Sequence, residues 1–183
     1  MESLTGKLLV AAKSLIDPNF ARSVVLVVHH NDQGAFGLVL NRASGTRLAT
    51  VWEELVAVPC PIDLPLMVGG PVEGPLLALH ADPERSDHEV VPGVQFVGRH
   101  EHLVSLVDDA VQPLRVFSGY SGWAAGQLEA EIESGSWGLA VASRDVVFSD
   151  EATLWQRLTA RIADAALVDW LRIRHVPERP WHN

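Results

Sequence analysis

The stretch SVVLVVHHNDQGAFGLVLN, Ser23 to Asn41, decides the fold. From Val24 to Val28 it is apolar at every position, whereas a strand with one wet face would alternate. Both faces of this segment must therefore be covered, which predicts a central strand. Asn31 to Gly34 carries turn chemistry, and Ala35 to Leu40 reads as a strand returning antiparallel to the first.

Working outward, KLLVAA reads as an earlier strand ended by LIDPNF, where Asp17 as cap and Pro18 at the first helical position predict a single helical turn through Phe20 and Ala21. Downstream, Thr50 and Glu53 match a capping box that would open a short helix, VWEELV. Prolines 59, 61 and 65 stiffen the next connection, and LMVGGPVEGPLLALH reads as two strands around a Gly-Pro turn. Residues 81–93 carry the densest turn signals and are expected to form a mobile loop. VQFVG predicts a strand, HLVSLVDDAV a helix and LRVFS a strand. Past residue 119 a helix is expected, with Ala125, Leu128 and Ile132 on its buried face. WGLAVA and VVF read as short strands. A longer helix from Ser149 or Asp150 buries Leu154, Leu158 and Ile162. Hairpins mixed with isolated helices define an α+β fold with a mainly antiparallel sheet, since regular βαβ alternation is confined to the middle third. One domain over 1–183 is expected, with 172–183 as a polar tail.

The 23 acidic residues outnumber the 14 basic ones, for a net charge of −9. A protein that grips DNA through phosphates needs the opposite balance, so direct nucleic-acid binding is disfavoured. Arg172, Arg174 and Arg179 are read as a solvated end. The longest apolar run is far short of the roughly 20 residues of a membrane helix, and MESLTGK has neither the basic nor the apolar region of a secretory leader. A cytoplasmic protein that does not enter the membrane is expected. A single cysteine, Cys60, excludes an internal disulfide and a zinc finger, and no positive neighbour activates it.

Candidate chemistry centres on GYSGWAAGQLEAEI, residues 119–132. Gly119, Tyr120 and Ser121 fit the start of a G-x-S-x-G nucleophile elbow, but Trp123 stands where the closing glycine belongs and Gly122 comes one place early. As an anion cradle, Gly119 and Gly122 would bare the amides of a helix start, yet the motif holds no lysine or arginine. As a corner, the glycines permit a tight turn while Tyr120 and Trp123 pack on the sheet. The corner is ranked first, the cradle second, the nucleophile last. His29 and His30 are adjacent and face opposite ways on a strand, and no H-E-x-x-H is present, so neither metal nor cofactor is expected. Asp17, Arg22, His30, Asn31 and Asn41 border very apolar strands. Two roles are open to them: satisfying turn backbone, or converging on a pocket.

LLVAAKSLIDPNFARSVVLVVHHNDQGAFGLVLNR, then GGPV, LALH and GYSGWAAGQLEAEIESGSW, in that order, resemble the hallmark segments of the bacterial YqgE/AlgH family. The resemblance spans nearly the whole chain up to the last helix. It implies a strongly curved mixed sheet with helices outside. The family is largely uncharacterised biochemically, and one branch is linked by name to transcriptional control of alginate synthesis. The family pattern marks, among others, Arg22, His30, Asn31, Asn41, Gly69, Gly70, Gly119, Tyr120, Trp123, Gln127 and Glu129. Relatives often carry an acid where this chain has His29, and alanine where it has Ser121, which speaks against a shared serine nucleophile. The leading expectation is a non-enzymatic protein that binds a protein or small-molecule partner and affects transcription indirectly. The runner-up is an enzyme or anion-binding domain using the Gly119–Glu129 turn with Arg22. A scaffold that homodimerises through an exposed edge strand is the third.

Overall fold

The computed structural model describes residues 3–56 and 58–173. Strand β2, Val24–Asn31, lies between β1, Lys7–Ala11, and β3, Gly34–Val39, antiparallel to both. Its five leading apolar side chains are all fully buried because the two faces of the sheet carry separate cores. Leu8, Val10, Val24, Leu26, Val28 and Leu38 point to one. Leu9, Val25, Val27 and Val39 point to the other, which also holds Trp123, Leu128 and Trp137. The two-residue period of a strand thus explains why every position from Val24 to Val28 is apolar.

Beyond β1 the sheet ends in β10, Trp137–Val141. On the other side, β9, Leu114–Ala124, connects two halves of the molecule. Its C-terminal part pairs with β3. Its N-terminal part pairs antiparallel with β6, Val72–His80, and parallel with β5, Pro65–Val68. The latter is the parallel pairing in an otherwise antiparallel sheet. β4, Ala43–Arg47, adds to β5; β8, Val94–Val97, adds to β6, with β7, His88–Val91, at the far edge. The ten strands curl strongly into a half-barrel with the helices outside. Helices α1, Leu48–Val56, and α2, His100–Asp108, cover a third core around Trp52, Leu106 and Val116. α3, Gln127–Glu133, lies against the second core through Leu128. The short α4, Arg144–Val147, and the long α5, Glu151–Ile173, bring Val147, Leu154 and Leu158 to the first.

The connection between β5 and β6 crosses β9 backbone to backbone. A Cβ on Gly69 would stand 2.2 Å from the Gly119 carbonyl oxygen, and one on Gly70 would stand 2.3 Å from the Tyr120 carbonyl group. Gly119 itself has φ +71°, and a Cβ there would stand 2.7 Å from the Val72 carbonyl oxygen. No side chain fits in these gaps, which is why Gly69, Gly70 and Gly119 occur together.

Five local expectations are revised. Residues 119–124 continue β9, and the helix begins at Gln127, after Gly126. Ala125 accordingly precedes the helix and is exposed, while Leu128 and Ile132 pack inward. VVF is not a strand, because the Ser143 hydroxyl accepts the Val146 N–H and starts α4. Residues 81–93 hold a 3-10 turn at Pro83–Arg85 and β7, fastened where Asp87 accepts the N–H groups of Gly98 and Arg99. Thr50 lies inside α1, which starts at Leu48. Asp17 makes a local turn by accepting the Asn19 N–H at 2.7 Å, without a helix. Of the expected tail 172–183, residues 172 and 173 belong to α5 and the rest lies outside the described residues.

Gly70→Ala is expected to destabilise the fold by about 3 kcal/mol or more, because two backbones must separate. Gly126→Ala, with open space around the same atom, is expected to cost only about 1 kcal/mol for its positive φ. Urea unfolding of both variants checks the contrast, and equal losses would contradict the crossing.

Candidate functional site at the end of the central hairpin

His30 is the penultimate residue of β2, 7% exposed, and all its polar groups are engaged. Its backbone N–H donates to Thr5 Oγ1 at 2.9 Å, and its carbonyl oxygen accepts the Ser3 hydroxyl at 3.0 Å. Nδ1 accepts the Leu4 N–H at 3.0 Å, so the ring proton must sit on Nε2. That Nε2–H donates to Glu129 Oε1 at 2.8 Å, across 99 residues of chain. The tautomer is thereby fixed by the backbone of the N-terminal segment.

Glu129 is the third residue of α3, in the turn where helix amides lack internal partners. Its own backbone N–H, above all, holds the carboxyl below its ordinary range, opposed by partial desolvation and helped by His30. Ser3, Asn31, Asp32 and Gly126 complete a cleft of about 220 Å³ around the pair. Asn31 Oδ1 accepts the Gln33 N–H at 2.9 Å, which closes the hairpin turn.

α3 is held in place by a residue that the sequence reading missed. Glu131 Oε2 accepts both indole N–H groups, Trp123 at 2.9 Å and Trp137 at 2.8 Å. Its other oxygen accepts Gln127 Nε2 at 2.9 Å, while Gln127 Oε1 accepts the Ala124 N–H at 3.1 Å. Phe20 packs on both tryptophans, at 6.0 and 5.5 Å between centroids. The available signal was the Gln127/Glu131 spacing of four on a helix flanked by tryptophans.

The expected site residues thus divide into groups. His30, Asn31 and Glu129 come together, with Gln127 and Trp123 supporting the helix from beside the cleft. Gly119 and Tyr120 belong to the crossing of β9, where Tyr120 packs edge-on against Phe36 at 5.3 Å. Gly122 is not needed for space, since an added Cβ would meet Tyr120 at an ordinary 3.5 Å. Arg22 and Asn41 lie at the opposite end of β2, about 26 Å away by strand rise. There Asn41 Oδ1 accepts the Val24 N–H and Nδ2 donates to the Arg22 carbonyl oxygen, a backbone clasp. The Gly119–Glu129 turn and Arg22 therefore do not share one site.

Ser121 is fully buried and its hydroxyl donates to the Gly69 carbonyl oxygen at 3.1 Å, within the crossing. Cys60 Sγ–H points at the Ile62 carbonyl oxygen. Among the described residues, no group of three or more His, Cys, Asp or Glu is arranged to hold a metal ion, and no helix is long and apolar enough to cross a membrane.

Fold and site together define a class: a curled α+β sheet whose central hairpin end is tied by histidine to a glutamate in a helix first turn. The chain belongs to the AlgH-like family, whose model matches residues 8–166. It is 38% identical to UPF0301 protein CT0663 of Chlorobaculum tepidum over 97% of this chain and 95% of that one. Identity to a UPF0301 protein of Mycobacterium tuberculosis is 39% over 85% of this chain and 81% of the relative. The solution structure of the AlgH protein from Pseudomonas aeruginosa superposes with TM-score 0.73 at 29% identity, covering 97% of this chain and 96% of that one. The crystal structure of protein DIP2367 from Corynebacterium diphtheriae gives 0.71 at 28% identity, covering 88% and 87%.

A carboxyl whose folded pKa is depressed contributes stability above its unfolded pKa and loses it as pH falls through the folded value. The stability gap between the native chain and Glu129→Gln is therefore expected to be widest near neutrality and to narrow below about the ordinary value of 4.5. Urea unfolding across pH 3–7 measures it, and a gap independent of pH would contradict the assignment.

Proposed function

We propose that this protein is a cytoplasmic binding protein that recognises a small ligand or partner group at the His30–Glu129 cleft, without covalent chemistry. The observation carrying this reading is convergence: three segments far apart in sequence bring Ser3, His30, Asn31, Asp32 and Glu129 to one open cleft around a hydrogen-bonded pair. Such a site is preorganised, so little ordering is needed on binding.

The cleft's chemistry favours a cationic group. Asp32 and Glu129 are acids, Glu129 is held ionised, and among the described residues no lysine or arginine lines the cleft. His30 spends its donor on Glu129, leaving carboxylate and carbonyl oxygens for an incoming ammonium or guanidinium. The buried Ser121 hydroxyl, already bonded to Gly69, supports a binding role over nucleophilic catalysis. An effect on transcription, suggested by the name of one family branch, would run through a partner: a net charge of −9 repels the DNA backbone.

Spermidine and L-arginine amide should raise the melting temperature of the native chain and leave that of Glu129→Gln unchanged. A native chain unresponsive to both would contradict the reading. Duplex DNA at physiological salt should show no sequence-selective binding, and tight selective binding would overturn the indirect route.

A further inference from the structure

The loop between β1 and β2, residues 12–23, closes a second cleft at the opposite end of β2 from His30. It has a volume of about 530 Å³ and is lined by Lys13, Leu15, Ile16, Ala21, Arg22 and Trp155. The loop is built for firmness. Phe20 is drawn inward onto Trp123 and Trp137, and Arg42 reaches the carbonyl oxygens of Asn19 and Ala21. Trp155, in the second turn of α5, is fixed by its indole N–H on the Ala11 carbonyl oxygen at 2.8 Å.

With Phe20 turned inward, the chain must reverse at once to enter β2. Arg22 does this in the left-handed region, at φ 57°, which a long side chain seldom adopts. The result sends its guanidinium outward over the Trp155 ring, 5.9 Å from the centroid. It enters no ion pair or hydrogen bond among the described residues. Asp17, the acid of the same loop, does not line the cleft and has one oxygen occupied by the Asn19 N–H.

Charge and polarity here depart from the rest of the molecule. The chain carries 23 acidic against 14 basic residues, yet among the described residues this cleft presents two cations and no acid. Beside the cations lie the Trp155 face, Leu15 and an Ile16 that is 87% exposed. A cation stacked on an aromatic ring next to bare aliphatic surface offers two contacts to one ligand: an anionic head on Arg22 and Lys13, and an apolar body over Trp155 and Ile16. The volume falls within the range of small-molecule sites.

We propose that this cleft binds a small amphiphilic anion, a carboxylate or phosphate carried on a hydrocarbon or aryl body. The site is separate from the His30–Glu129 cleft and does not rest on the reading given for it.

The full chain, labelled with ¹⁵N, is titrated with octanoate, octyl phosphate, octylamine and acetate while the tryptophan indole signals are followed. Trp155→Phe assigns the signal of Trp155. Octanoate or octyl phosphate should shift that signal saturably at millimolar concentration or below, and whichever binds tighter identifies the head group. Octylamine, with the same tail and opposite charge, and acetate, with the charge alone, should not. Arg22→Asn removes the guanidinium while keeping a residue that accepts positive φ, and should weaken binding about tenfold without lowering the melting temperature. Lys13→Gln, exposed on the surface, gives an independent second variant with a smaller loss. The proposal is overturned by any of three results: no shift with either anion, equal shifts with octanoate and octylamine, or undiminished binding by both variants. Arg22→Asn should leave any spermidine response intact, so that failure here and failure at the His30 cleft are told apart.

Discussion

The structure depends on how closely the β5–β6 connection can approach β9. Three strands find their partner in β9: β3 on its C-terminal part, β5 and β6 on its N-terminal part. All three pairings can be satisfied only if the connection crosses at backbone contact, and Gly69, Gly70 and Gly119 leave the room. Ser121 adds a buried hydrogen bond to the Gly69 carbonyl oxygen. A residue that resembles a nucleophile in one dimension is thus part of the join in three. Unsatisfied polar groups in so buried a crossing would cost more than the single bond gains.

From that join the candidate site follows by short steps. The end of β9 delivers Trp123 to the core and Ala124 to the Gln127 side chain, which sets where α3 begins. Glu131 then gathers two indole N–H groups and fixes the helix's rotation. Only with that rotation does Glu129, two residues earlier, reach His30. The imidazole waits with its tautomer set by Leu4. The geometry of the cleft is therefore a consequence of packing on the other side of the helix.

Much of the frame was legible in the sequence because it rests on local periodicity. The unbroken apolar run at Val24–Val28, the turn at Asn31–Gly34 and the stripe Leu154, Leu158, Ile162 each report a pattern that short segments obey. The start of α3 was misplaced because Gly119 was read as ending a strand, whereas its positive φ lets the strand bend and continue to Ala124. VVF looks like a strand by composition, but the Ser143 cap decides otherwise. His30, Asn31 and Glu129 were named as candidates, yet their convergence depends on long-range pairing that no spacing encodes. Arg22 and Asn41 were grouped with them for the same reason and lie at the other end of the strand. Membership of the AlgH-like family was carried by the order of several weak motifs, which together span most of the chain.

Native-state hydrogen exchange at Val116, Phe117 and Ser118, where β9 is paired on both sides, tests the central role of this strand most directly. These amides should exchange only through global unfolding, with the free energy found by denaturant. Exchange by a smaller opening, while the β1–β2–β3 amides stay protected, would contradict the account.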